Sequence, residues 1–172
     1  MSNNDIPGDY IAGLVDGEGC FHFSASNGYK NRGRGDEYYP TWRYSFVIRM
    51  EGKEEPILYE VQKVVRCGKV NKYPNSNGNR KPSVAFSVEN LSDLHDKVIP
   101  FFKKYLLRAS KRHNFEVWSE AITKLYIIRN RPRSNVGNKV NISNKERHEL
   151  MVISEQLTSI QANRPGRKKI DR

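Results

Sequence analysis

Two carboxylates alternate with two glycines at residues 16 to 19, Asp16-Gly17-Glu18-Gly19, directly after an apolar run that begins at Tyr10. Glycine lets a backbone turn sharply and leaves its carbonyl oxygens accessible. Carboxylate and carbonyl oxygens are hard donors. They suit Mg²⁺, which commonly takes one or two carboxylates and completes its shell with water or phosphate oxygens. An ion shared between such a site and a phosphodiester could clamp the phosphate and activate water. The alternative is structural: Asp16 bonds nearby backbone and Glu18 is solvated. In either case the electrostatics are poor. Residues 7 to 17 read as a helix, and acids at its end face the negative pole of the dipole, at a cost of roughly 0.3–1 kcal/mol each. A cation at that end would reverse the sign.

The elements that must position this pair follow from periodicity. Pro7 is tolerated in a first helical turn. Gly13 and Gly17, four apart, share a face and would allow close approach of another backbone. Residues 20 to 26 alternate, with Phe21, Phe23 and Ala25 on one side and His22, Ser24 and Ser26 on the other. A Gly- and Arg-rich loop follows. Residues 41 to 50 alternate again, Trp42, Tyr44, Phe46, Ile48 and Met50 against Thr41, Arg43, Ser45, Val47 and Arg49. A helix is predicted over 53 to 68, closed by Gly68. Residues 69 to 90 read as a second hairpin, and 90 to 105 and 110 to 128 as two more helices. In the latter, Phe115, Trp118, Ile122 and Leu125 read as core. A basic loop over 129 to 140 and an amphipathic helix over 144 to 162 complete the domain, residues 1 to 162. The tail, 163 to 172, carries five Lys or Arg and one Asp and is expected to be disordered. The class is α+β: an αββαββα unit whose four-stranded antiparallel sheet is covered by helices on one face, plus C-terminal helices.

The other sheet face is polar, in a chain with 30 Lys and Arg against 19 Asp and Glu. A net charge of +11 suits a phosphate-bearing partner, with nucleic acid as the default. Antiparallel sheets can also leave one face to water. Strands carrying Arg, Ser and His can, however, read base edges, since a β-ribbon fits the major groove. The contact candidates are His22, Ser24 and Ser26; Thr41, Arg43, Ser45 and Arg49; Lys69, Asn71 and Tyr73; and Lys81, Ser83 and Ser87. Lys30, Arg32 and Arg34 could reach outer base pairs or phosphates from the long loop. Arg129, Arg131, Arg133 and Lys139 are phosphate candidates, which position without specifying. No run of about 18 apolar residues exists, so no membrane span is expected. The N-terminus has no basic region leading into an apolar stretch, so no signal peptide is expected. Cys20 and Cys67 have no zinc spacing, and free thiols are expected.

The stretch "YIAGLVDGEG", followed directly by an alternating strand, resembles the signature of the LAGLIDADG homing endonucleases. The αββαββα order is similar to that family's unit over roughly residues 7 to 130, and "YLLRASKRHNFEVW" is similar to a second, weaker family pattern. The resemblance implies a site-specific double-stranded DNA endonuclease that hydrolyses phosphodiester bonds with a divalent metal and acts in intron or intein homing. An intron-splicing maturase, or a non-cleaving DNA-binding protein on the same scaffold, is the alternative. It implies Glu18 as metal ligand and catalytic acid-bearing position, with the Gly17 carbonyl beside it and Asp16 supporting the helix end. It implies a basic residue near the metals; Lys111 is the candidate and Arg108 the reserve. A solvent-holding Gln of some members falls near Met50 or Glu51. Mg²⁺ is the expected cofactor, with Mn²⁺ able to substitute and Ca²⁺ binding without cleavage. The chain holds one motif, so a homodimer is expected, packed through Ala12, Gly13 and Gly17 and acting on a roughly palindromic site. The expected location is intracellular, in the organellar, bacterial or phage compartment that harbours the intron.

Overall fold

The computed structural model describes residues 5–26, 41–74, 81–132 and 142–162. The chain runs α1 (Gly8–Glu18), β1 (Gly19–Ser26), β2 (Thr41–Glu51), a 3₁₀ turn (Gly52–Glu54), α2 (Glu55–Val65), β3 (Lys69–Tyr73) and β4 (Ser83–Val88). A continuous helical stretch follows as α3 (Leu91–Asp93), a π-helical turn (Leu94–Val98) and α4 (Ile99–Lys104). Then come α5 (Lys111–Arg129) and α6 (Asn144–Ala162). The αββαββα order read from periodicity is the one observed, and the tail lies outside the described residues.

The four strands form one antiparallel sheet in the order β1-β2-β4-β3. Its apolar face is the core. Phe21 stacks on Phe46 at 5.1 Å between ring centroids and meets Trp118 of α5 at the same distance. Phe102 of α4 packs edge-on to both Phe21 and Phe46. Leu58, Val61 and Val65 add the buried stripe of α2, and Leu150, Ile153 and Leu157 that of α6. Ala25 pairs with buried Trp42 on the expected side, but is itself exposed near the end of β1.

The end of α2 also differs from expectation. The helix stops at Val65, and Arg66, not glycine, takes the left-handed conformation at φ 60°. Gly68 does its work two residues later, at φ 84°. A Cβ there would lie 2.6 Å from the Phe86 ring and 2.8 Å from the Ser87 carbonyl oxygen, so only glycine lets the chain enter β3 so close to β4.

Candidate active site and nucleic-acid interface

The acidic motif closes α1, and its two carboxylates do different things. Asp16 turns back into the protein. Its Oδ2 accepts the backbone N–H of Arg108 at 2.8 Å and that of Ala109 at 3.2 Å. It therefore clasps the loop that leads into α5. Its Oδ1 is buried with no hydrogen-bond partner. Glu18 is exposed and has neither hydrogen bond nor ion pair among the described residues. Between them, the Gly17 carbonyl accepts a hydrogen bond from the Lys111 ammonium at 2.5 Å. Lys111, the first residue of α5, is only 6% exposed. The structure thus brings Asp16, Gly17 and Lys111 together, with Glu18 beside them; Arg108 meets the motif through its backbone.

Glu18 opens onto a groove of about 460 Å³ shared with Arg49, Glu51, Lys53, Lys81 and Ser83. Glu51 ends β2. Hydrogen bonding to Lys81, at 3.3 Å, and the nearby charges of Lys81 and Lys53 hold its carboxyl below the usual glutamate range. Sequence reasoning reached this position only as a gap in the family pattern. Its proximity to Glu18 depends on β1–β2 register, in which Gly19 pairs with Ile48. Among the described residues no three His, Cys, Asp or Glu side chains converge to hold an ion.

The pairing register places the strand candidates on one face, except Lys81, which precedes β4 and is unpaired in the sheet. Ser26 lies opposite Thr41, Ser24 opposite Arg43, and His22 opposite Ser45. Val47 pairs with both Cys20 and Ser87, and Ser87 with Lys69. Arg49 pairs with Ala85, and Ala85 with Asn71; Glu51 pairs with Ser83, and Ser83 with Tyr73. Cross-strand partners share a face, so this row-by-row match fixes β3, whose polar alternation alone is weak. The Arg49 guanidinium lies over the Tyr73 ring, 4.5 Å from its centroid, above buried Ala85. His22 Nε2 lies 3.1 Å from the Ser24 hydroxyl. Burial first, and the Arg43 charge second, push the His22 pKa below its ordinary value. The same residue's carbonyl accepts the Trp118 indole N–H at 3.1 Å, a tie to α5 that no sequence pattern announces.

Some candidates stand elsewhere. Arg131 spends its guanidinium on Glu146 at the α5–α6 junction. Arg129 donates to the Tyr44 hydroxyl at 2.8 Å. Ala12 is a correction: expected at a dimer seam, it is 3% exposed and packs into the chain's own core. The open stripe of α1 is Tyr10, Gly13 and Gly17, and none of the described residues lies within 4 Å of where a Cβ would stand at either glycine. Lys30, Arg32, Arg34, Arg133 and Lys139 lie outside the described residues. Cys20 is exposed on the polar face, and burial pushes the half-buried Cys67 thiol up to about 11. Among the described residues no helix is long and apolar enough to cross a membrane.

The sequence model of the LAGLIDADG endonuclease family matches residues 11–122. A probable intron-encoded DNA endonuclease 1 from Mycosarcoma maydis is 32% identical over 111 residues, 64% of this chain and 35% of that protein. The chain therefore spans about a third of that curated relative. Among solved structures, the homing endonuclease I-TnaI superposes with a TM-score of 0.65 at 22% identity, covering 92% of this chain and 97% of that one. The meganuclease I-SmaMI bound to uncleavable DNA gives 0.67 at 21% identity, covering 92% of this chain and 47% of that one. I-LtrWI bound to target DNA gives 0.67 at 18%, covering 91% and 45%.

Proposed function

The chain belongs to the LAGLIDADG endonuclease family, and from that premise we propose that it is a homodimeric, divalent-metal-dependent endonuclease that cuts double-stranded DNA at a specific, roughly palindromic site in intron homing. The observation that supports this best is the division of labour at the end of α1. Asp16 is consumed by the Arg108 and Ala109 amides, whereas Glu18 stands exposed and uncommitted beside the Gly17 carbonyl, which accepts the Lys111 ammonium. A carboxylate at the negative end of a helix dipole, with no cation of its own, is a placement that a divalent ion makes favourable.

The donors fit such an ion as half a site. They are hard oxygens, one carboxylate and one carbonyl, and among the described residues no three His, Cys, Asp or Glu side chains come together to complete the shell. A second copy would supply the other half. The bare stripe of α1 argues the same way. Glycine inside a helix costs roughly 0.5–1 kcal/mol relative to alanine, and no contact among the described residues demands it at Gly13 or Gly17. A close-packed second α1 would demand it. Two Glu18 carboxylates would then meet near the dyad and repel without a cation, so metal and dimer stability are expected to be coupled.

Bound Mg²⁺, with Mn²⁺ as a substitute, would supply Lewis acidity and a more acidic water; Ca²⁺ would bind without supporting the cut. Glu18, with the Gly17 carbonyl, would hold it. Lys111 would stabilise charge on the reacting phosphate. The polar strand face would read the major groove, with Arg49 and Ser83 lining the groove beside Glu18 and Arg43 and Thr41 at the far end of β2. The test is Glu18→Gln against a target selected from a random or host-derived DNA library in Mg²⁺. Cleavage should disappear while specific binding in Ca²⁺ survives. Robust cutting by the variant would remove Glu18 from the chemistry.

A further inference from the structure

The hydrogen bond between Lys111 and Gly17 carries a consequence beyond catalysis. The last turn of α1 has no basic residue and ends in two acids. The cation that faces it comes from a distant place in sequence, and from an unfavourable one. Lys111 starts α5, where a helix dipole disfavours positive charge, and the first turn of α5 has no acid to offset it. The side chain is also almost completely buried, which penalises an ammonium. These costs are offset at the other end, where the ammonium meets the Gly17 carbonyl at 2.5 Å.

We propose that Lys111 is a resident cation for the end of α1, and that a divalent ion and the Lys111 ammonium compete for the Gly17 carbonyl. The inference rests on the reading of Gly17 and Glu18 as metal donors. An ion bound at about 2.1 Å from an oxygen that already holds an ammonium would place two cations within roughly 4–5 Å of each other. They repel, and the flexible lysine stem is the part that can move. Metal loading therefore frees Lys111 from Gly17, and the freed charge becomes available to a DNA phosphate only once the ion is in place.

The full-length protein, stripped with chelator, can be melted across a titration of MgCl₂ or CaCl₂. Lys111→Met should melt lower than wild type without metal, and its half-saturating metal concentration should fall about tenfold, a usual size for coupling between sites. Lys81→Met removes a charge from the same groove without touching Gly17, and should lower the midpoint several-fold less than Lys111→Met does. An equal gain in Lys81→Met, or no metal response in either wild type or Lys111→Met, overturns the proposal. Glu18→Gln should lose the response; if it keeps it while Lys111→Met still gains, the Glu18 assignment fails and the competition at Gly17 stands. Acetic anhydride labelling of the wild type, read by mass spectrometry, needs no variant. Lys111 should be protected without metal and several-fold more reactive in CaCl₂, and unchanged labelling overturns the proposal.

Discussion

Asp16→Ala should destabilise the fold by about 2–4 kcal/mol without removing a metal ligand. The Asp16 carboxylate accepts two backbone N–H groups, at 2.8 and 3.2 Å, and hydrogen bonds to a charged group contribute roughly 1.5–3 kcal/mol each. Against this, the carboxylate sits at the wrong end of the α1 dipole, and its removal recovers roughly 0.3–1 kcal/mol. The donors, Arg108 and Ala109, are exposed and can turn to water, which places the net loss at the lower end of the sum. For a chain of this length 1 kcal/mol corresponds to roughly 2–4 °C in Tm, so a fall of about 5–15 °C is expected. Asp16→Asn keeps an acceptor and loses only the charge, which should cost about 1–2 kcal/mol. Urea melts read both. The pair of variants also separates two roles. As a clasp, Asp16 governs stability, and the Asn variant should retain DNA cleavage at reduced temperature. A Tm for Asp16→Ala within 2 °C of wild type, together with loss of cleavage in Asp16→Asn at a temperature where that variant is folded, would refute the clasp and make Asp16 a ligand.

Three further outcomes are expected. An L-residue in the left-handed region costs roughly 1–2 kcal/mol and glycine's extra freedom in the unfolded chain takes back roughly 0.5–1, so Arg66→Gly should stabilise by about 0.5–1 kcal/mol in equilibrium melts. His22 is held below its ordinary 6.5 in the free protein, so its contribution to stability is complete above that pH and is lost as pH falls through the folded value. DNA phosphates would raise the same pKa, so binding takes up a proton and affinity should rise as pH drops from about 8 to 6, a trend that His22→Asn should flatten. Arg43→Ala should relax preference at one base pair of each half-site by about 1–3 kcal/mol, read by selection on a randomised target; an unchanged preference removes Arg43 from the reading face.

Much of the polar sheet face was legible because strand parity is a two-residue rule. Phe21, Phe46 and Phe86 each demand the core, so their neighbours His22, Ser45 and Ser87 must face out. The polar alternation of β3 could not decide its own side; that information resides in its partner, through Ser87 opposite Lys69. Ala12 was misassigned because motif neighbours at adjacent helix positions point about 100° apart, and Gly13 and Gly17 share a stripe that Ala12 does not. Contacts between residues distant in sequence left no local trace. The Lys111–Gly17 bond, the Asp16 clasp and the Arg131–Glu146 pair each depend on where α5 lies against other elements. The π-helical turn at Leu94–Val98 was likewise hidden within an apolar pattern that suits any helix.

One consequence belongs to α5 as a rigid rod. Its first residue, Lys111, grips the end of α1, and Trp118, two turns on, grips the backbone of β1 at His22. Seven residues of helix fix that interval at roughly 10 Å. On the proposed function, the helix would act as a gauge block between blade and ruler. Substitutions along the strands should redirect which bases are read while leaving the position of the cut unchanged. A single residue inserted between Lys111 and Trp118 would turn the two grips about 100° apart, uncoupling reading from cutting in a protein whose sheet and motif are otherwise intact.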